Sequence, residues 1–518
     1  MATTAAPLDG PAGRMPPGSD TAFFGHPRGL STLFFTEMWE RFAYYGMRAI
    51  LILYLTTAVA GGGLGYDVGK AGAVYGTYVA LVYMLSLPGG WVADRILGLR
   101  KSVLVGGVLI MFGQLCLAVP GAKLFYLGLA LIILGTGLLK PNVSAIVGEL
   151  YTKEDVRRDA GFSIFYMGIN LGAFIAPLVV GWLAQSAKFK EVLAGWGFRP
   201  ELSWNWGFGI GALGMFLGIV QYVAGWKHFG EAGKHPSVAP ESAEGAAARR
   251  QFWIGGVALL ALAGGIAAMV MSGALAIETV TNAFSWLYAV VVVGFFVWLF
   301  KFGTWTKEEY KRLIVILVLF IGAAIFWSAF EQAASTLNLF ANEKSRNQIL
   351  GWEFPASWFQ SVNALMIIAL APVFAWIWLK LGTRNPSSPA KFAVGLLFVG
   401  LGFVVMVGAA RASAGGAQVS PMWLTVTYLL HTIGELCLSP VGLSSMTRLA
   451  PDRVKGLMMG VWFLAASMGN LIAGRVVGFL ESFTPDKIFF AVAMFAIVAS
   501  VVMFGLVGPI RRMMEREG

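Results

Sequence analysis

The sequence is poor in charge and in the residue types that most often carry chemistry. Only 13% of its 518 residues are Asp, Glu, Lys or Arg, about half of the roughly 25% usual in a soluble chain. Cysteine occurs twice, as Cys116 and Cys437, each inside an apolar run. Two such thiols exclude a disulfide framework and point to packing. The four histidines, His26, His228, His235 and His431, lack metal-ligand spacing, so no metal or other cofactor is expected. No nucleophile–base pair rises above background, and the chain is not expected to be an enzyme. Residues 1–29 hold Pro, Gly, Ala and Thr without the apolar core of a signal peptide and are expected to be a polar tail. The ten-residue alternation of an outer-membrane barrel is also absent. A net charge of +11 invites a nucleic-acid reading, but the basic residues are scattered among short loops, with no basic helix to gather them.

What the chain does have is apolar length. It is 57% hydrophobic with a mean hydropathy of +0.72, and its apolar runs are long enough to cross a bilayer as helices. Spans are expected at 31–58, 71–94, 102–120, 123–149, 159–186, 203–227, 251–272, 280–302, 311–340, 355–381, 391–411, 421–447, 455–481 and 486–510. The expected organisation is a tail at 1–30, a six-helix bundle over 31–228 and a polar linker over 229–250. Two inserted helices over 251–303, a second six-helix bundle over 304–511 and a tail at 512–518 follow. By these boundaries 25 of the 38 Lys and Arg fall on the side of the N-terminus and nine on the other. That bias predicts cytoplasmic termini in a bacterial-type inner membrane.

Ionisable residues inside these spans stand out, because at bilayer depth they are costly and usually face a bundle interior or a watery cavity. On the first span Glu37, Glu40, Arg41, Tyr44, Tyr45 and Arg48 share one helical face. Lys140, Glu331 and Glu435 lie deep in later spans. A rise of about 1.5 Å per residue brings Arg48 and Glu331 to similar depth, with Lys140 nearer Glu37 and Glu40 and Glu435 about a turn higher. Depth alone thus pairs Arg48 with Glu331, and Lys140 with Glu435 or with the Glu37–Glu40 cluster. Four acids face three bases, so at least one carboxylate lacks a base and is open to protonation when buried. His431 stands alone and reads as a packing residue, so a glutamate would carry any coupled proton. Tyr83, Trp327 and Trp462 lie near the deep charges in sequence, and Asn170 and Asn363 are amides within spans. A ligand held between Arg48 or Lys140 and Glu435 would carry an anionic and a cationic end, as a short peptide or a large amino acid does.

The two sixfold sets resemble one another. Gly135-Thr-Gly-Leu-Leu-Lys140-Pro141 aligns with Gly434-Glu-Leu-Cys-Leu-Ser439-Pro440 at a constant offset, as parallel transporter halves would. The loop Gly90-Trp-Val-Ala-Asp94-Arg95-Ile-Leu-Gly98-Leu-Arg100-Lys101 resembles the signature of the major facilitator superfamily. More specifically, Glu37-Met-Trp-Glu40-Arg41-Phe42-Ala-Tyr44-Tyr45-Gly46 resembles the first-span motif of the proton-dependent oligopeptide transporter (POT/PTR) family. Phe165-Tyr166-Met-Gly-Ile-Asn170, Phe326-Trp327-Ser-Ala-Phe330-Glu331-Gln332 and Gly434-Glu435-Leu-Cys-Leu-Ser439-Pro440 resemble later motifs of that family.

The resemblance implies an all-α integral membrane protein of the major facilitator fold, two six-helix bundles plus two inserted transmembrane helices, fourteen spans in all. It implies import of di- and tripeptides with protons by alternating access, in a chain that works as a monomer within the lipid bilayer. Glu37, Glu40, Arg41, Lys140 and Glu331 would couple protons. Arg48 and Lys140 would take the peptide carboxylate, and Glu435, with Asn170 and Asn363, its amino terminus. Tyr44, Tyr45, Tyr83, Trp327 and Trp462 would line side-chain pockets, and Arg48–Glu331 and Lys140–Glu435 would be gate pairs. The chain departs from the family pattern at Ala364, where proline is common, and in the stretch around Ala334 and Ser335. A proton/drug antiporter and a non-transporting nutrient sensor are the competing readings.

Overall fold

The computed structural model describes residues 20–152, 155–239, 241–451 and 454–514. The ends of the two expected tails, up to residue 19 and from 515, lie outside the described residues. Of the fourteen expected spans, the first is α1 (Arg28–Thr56). The second is broken into α2 (Val68–Met84), α3 (Ser86–Val92) and a π turn at Ala93–Leu97. Next come α4 (Leu99–Leu117), α5 (Ala122–Glu149), α6 (Arg158–Gln185), the short α7 (Ala187–Gly195) and α8 (Ser203–Gly225). The inserted pair is α9 (Ala243–Met271) and α10 (Ile277–Phe302). The second bundle holds α11 (Lys307–Phe330), the short α12 (Thr336–Lys344), α13 (Gln360–Leu381), α14 (Ser388–Ala412), α15 (Met422–Leu449), α16 (Lys455–Gly478) and α17 (Pro485–Met514).

Thirteen described helical segments are long and apolar enough to cross a membrane. To these α1 is added on different grounds. It carries Glu37, Glu40, Arg41 and Arg48, and the fold takes those side chains out of contact with lipid by surrounding α1 with α2, α5, α6 and α8. At 29 residues it is about 44 Å long, enough to cross the hydrocarbon core and both interfaces. Side-chain caps start several helices. Asp67 accepts from the Lys70 amide at 2.7 Å, and Thr306 and Glu309 form a reciprocal capping box.

Two expected spans are not continuous helices. The 71–94 run breaks at Leu85, three residues before Pro88, which can donate no backbone hydrogen bond. The 311–340 run is α-helical only to Phe330. It tightens to a 3-10 turn over Glu331–Ala334 and leaves helical geometry at Ser335 (φ −127°, ψ −95°) before α12 resumes.

Helices alternate in direction, so the molecule has a near face, where α1 begins, and a far face, where it ends. The bundles meet through α2 against α16 and α6 against α13. Among the described residues, the side-chain hydrogen bonds across this boundary lie in the middle and far half. Asn338 Nδ2 donates to Ala49 O at 2.7 Å, Ser361 Oγ to Phe174 O at 2.7 Å and Trp358 Nε1 to Leu178 O at 3.0 Å. Ser467 Oγ donates to Ala80 O at 2.8 Å, and the Gly69 amide to Glu481 at 2.6 Å. The apolar cores tell the same story. The far-half core of the first bundle takes in Ala334, Leu339 and Val477 of the second, whereas among the described residues its near-half core draws on the first bundle and on Phe229 of the linker. The far face is therefore sealed.

That seal depends on backbones touching. A Cβ built on Gly474 would lie 2.6 Å from both Gly72 O and Gly76 Cα, closer than real Cβ contacts come. Beside this seam lies α10. Glu278 pairs with Lys70 of α2 at 3.1 Å. Arg475 of α16 donates to Asn282 Oδ1 at 2.7 Å and to Ser285 Oγ at 2.6 Å, and Tyr288 OH to Leu464 O at 3.1 Å. The apolar stretch of α9 buries none of its residues against the protein. Its first turn is held by Glu244 on Arg95 at 2.8 Å. The Asp94–Arg100 loop grips the linker: Arg100 Nη2 donates to Gly230 O at 2.6 Å, and the Ser237 amide to Asp94 O at 2.7 Å.

Gly474→Val should wedge this seam, and overpacking of this kind costs about 1–3 kcal/mol. The expected outcome is a rise on the order of tenfold in maleimide labelling of a cysteine introduced at position 338; unchanged labelling would show that the seam does not hold the far face shut.

Candidate functional site between the bundles

The α1 stripe runs through the boundary in three tiers about 6 Å apart, set by the helical repeat between residues 40, 44 and 48. In the lowest tier Glu37, Glu40 and Arg41 are all buried. Arg41 Nε lies 3.1 Å from Glu37 Oε1, and the guanidinium also pairs with Glu40. Two carboxylates thus share one base. Glu37 Oε2 and Glu40 Oε1 have no hydrogen-bond partner among the described residues.

The middle tier is aromatic. Tyr44 and Tyr45 stand edge to face at 5.2 Å. The Arg41 guanidinium lies 5.2 Å and 5.9 Å from their ring centres, and that of Arg48 5.9 Å from Tyr45, positions at which an aromatic face attracts a cation.

In the upper tier Arg48 forms an ion pair with Glu331 across the bundle boundary. Its Nε donates to Tyr75 OH at 2.7 Å. Glu331 reaches Arg48 from the point where α11 tightens into its 3-10 turn, so the kink lies at the carboxylate itself.

Lys140 and Glu435 do not pair in this structure. The Lys140 ammonium lies 3.8 Å from the Tyr83 ring centre, within electrostatic reach of Glu37 and Glu40, and makes no ion pair among the described residues. Pro141 follows it inside α5. Glu435 accepts from Asn363 Nδ2 at 3.0 Å, and the same amide nitrogen lies 3.0 Å from Thr432 Oγ1. Lys140, Tyr83, Glu435, Asn363, Trp327 and Tyr45 are all half-buried.

Asn170, Trp462 and His431 are more enclosed, and Trp327 is held by its aromatic neighbours. Asn170 donates to Tyr166 O at 3.0 Å within its own helix. Trp327 packs edge to face on Phe326 and Phe330, its indole N–H buried without a partner. Trp462 is buried against Phe392 and over Gly442. His431 is buried between Phe403 and Phe330. The sequence reading missed Tyr75, Tyr78 and Thr432. The phenols at 75, 78 and 83 lie on a helix whose one charged residue, Lys70, sits at its far end, a signal readable only once α2 is placed beside α1.

Among the described residues, no group of three or more His, Cys, Asp and Glu could hold a metal ion. Two helical bundles, charged residues gathered at their boundary and one sealed face define a membrane transporter of the major facilitator fold. The POT family model matches residues 100–495. The chain belongs to the POT family. It is 42% identical over 516 residues to the peptide transporter YePEPT of Yersinia enterocolitica, covering 96% of this chain and 97% of that one. It is 37% identical over 506 residues to a di-/tripeptide transporter of Lactococcus lactis, covering 96% and 98%. A crystal structure of a variant peptide transporter POT in complex with alafosfalin superimposes with a TM-score of 0.85 at 42% identity, covering 97% of this chain and all of that one.

Removing either partner of the Arg48–Glu331 pair leaves a buried charge uncompensated. Arg48→Ala and Glu331→Ala are each expected to cost about 3–5 kcal/mol, and the double variant less than their sum. Unfolding of the purified variants in detergent checks this; additive losses would deny the pair its coupling.

Proposed function

We propose that this protein imports di- and tripeptides together with protons by alternating access, as a monomer in a bacterial-type inner membrane with both termini cytoplasmic. On this reading the near face is cytoplasmic and the structure is the inward-facing state. The bundles over 31–228 and 304–511 rock about the boundary, and 229–250 and 251–303 are the linker and inserted pair.

One observation carries the proposal. An ammonium without an ion-pair partner among the described residues, Lys140, and a carboxylate that among them accepts from the neutral amide of Asn363, Glu435, stand half-buried on opposite bundles. A short peptide supplies the complementary charge at each end, its carboxylate towards Lys140 and its ammonium towards Glu435. Arg48 joins the carboxylate contact when it leaves Glu331. Asn170 and Asn363 serve the amino-terminal end, and Tyr44, Tyr45, Tyr83, Trp327 and Trp462 accept side chains of varied shape. The relatives named for peptides agree with this choice.

The coupling follows from charge. A proton on Glu331 cancels its attraction for Arg48 and lets the far face part. A proton on Glu37 or Glu40 relieves the repulsion of two carboxylates on one guanidinium, and releasing it again restores the charge that holds Arg41 and attracts Lys140. Each charge state thereby favours a different arrangement of the bundles.

In liposomes, an inward proton gradient should drive accumulation of di-alanine; no gradient-driven accumulation would overturn the proposal. Glu37→Gln and Glu40→Gln should abolish driven accumulation while leaving peptide exchange across the membrane. Glu435→Gln should impair peptides with a free amino terminus far more than N-blocked ones, and equal impairment of both would remove Glu435 from that role.

A further inference from the structure

Thr432 is fully buried, and the peptide site described above gives it no role. It lies on the face of α15 that also carries Tyr428 and Glu435, at the i, i+4 and i+7 positions. That helix packs against α13, whose first turn brings Gln360 and Asn363. Two carboxamides of α13 thereby meet hydroxyls of α15. Gln360 Nε2 donates to Tyr428 OH at 3.0 Å and also to Ala333 O. One turn closer to the near face, Asn363 Nδ2 meets Thr432 Oγ1 and Glu435 Oε2, each at 3.0 Å.

The directions of the hydrogen bonds at Asn363 are forced, link by link. A main-chain carbonyl can only accept, so the Thr432 hydroxyl, 2.7 Å from Tyr428 O, donates to it. A hydroxyl has one proton. With that proton spent on the carbonyl, Thr432 Oγ1 can only accept from Asn363. Asn363 therefore turns its NH2 group towards α15, and its second N–H is left for Glu435 Oε2. Were the amide flipped, its oxygen would face a hydroxyl whose proton is already committed and a carboxylate. No hydrogen would lie between these acceptors, and buried polar groups left in that way are costly.

We propose that Thr432 is a positioning residue for the peptide's amino terminus: it sets the orientation of the Asn363 amide, which in turn holds one oxygen of Glu435. The proposal rests on the reading given above, in which Glu435 receives the peptide ammonium. With Oε2 held by the amide, the ammonium meets the carboxylate at Oε1. The carboxylate is thereby oriented before the ligand arrives, and a group already in place loses less rotamer freedom on binding. Thr432 itself does not touch the ligand. Selection for a free amino terminus thus starts from a main-chain carbonyl, three side chains away from the ammonium it serves.

The test is Thr432→Val, which removes the hydroxyl and keeps the shape. Full-length protein in liposomes is assayed for di-alanine counterflow without a proton gradient, with N-acetyl-di-alanine as competitor. The half-saturating di-alanine concentration should rise about tenfold, the equivalent of 1.4 kcal/mol, at an unchanged maximal rate. The inhibition constant of N-acetyl-di-alanine should stay at its wild-type value, and Thr432→Ser should keep wild-type affinity for di-alanine. In an Asn363→Ala background Thr432→Val should add nothing, because Thr432 acts only through that amide. Should Thr432→Val fail to fold, Thr432→Ala carries the same expectations. Wild-type di-alanine affinity in the folded variant, equal weakening of both ligands, or additive losses in the double variant would each overturn the role of Thr432. Wild-type protein that binds the two ligands equally well overturns instead the placing of the ammonium at Glu435.

Discussion

The Arg48–Glu331 ion pair joins the two bundles with both charges buried. Its strength comes from enclosure: in a medium of low polarity, opposite charges attract strongly, and either one left alone is very costly. The sealed far face gives the pair that enclosure, through glycine backbones in contact and hydrogen bonds donated to main-chain carbonyls. In return the pair helps hold the seal. A single proton on the carboxylate would change the balance of both, so under the proposed symport the interaction would serve as a joint and as a sensor of charge.

The same reasoning places the lower tier. Glu37, Glu40 and Arg41 are buried on one helix inside one bundle, so the proposed rocking of the bundles would not separate them. Lys140 and Glu435 are different. Each is half-buried, on opposite sides of the boundary, and held by groups that compete weakly for charge: an aromatic face for the lysine, an amide for the glutamate. A site that must bind and release the same ligand benefits from such loosely satisfied groups, because a stronger internal partner would compete with the substrate.

Much of the architecture was readable from hydropathy because a bilayer allows few alternatives to a long apolar helix. The stripe from Glu37 to Arg48 was readable for the same reason: charges in an apolar run demand an explanation. The breaks were harder. Nothing in the residues around Glu331 signals that α11 tightens there, because the tightening answers tertiary contacts and not a proline or glycine. Lys140 over Tyr83 was equally hidden, since the rotation of α5 relative to α2 decides it. Tyr75 and Tyr78 were overlooked because a phenol in a membrane helix reads as ordinary packing until a charged neighbour is found on another helix.

The inserted pair makes the two lines of contact between the bundles unequal. Along α2 and α16, α10 is laid over the seam and bonded to both sides of it. Along α6 and α13 no described helix is laid over the seam in this way. That side instead carries an apolar groove of about 330 Å³ lined by Phe174, Leu178, Trp352, Trp358 and Leu365, beneath the Gln348–Glu353 hairpin. Under the proposed rocking, acyl chains would rearrange along the bare side, while the covered side would exchange contacts within the protein. The mechanical resistance of the surrounding lipid would then be felt on one flank, and a change in bilayer thickness or stiffness would act on the motion as a torque from that flank.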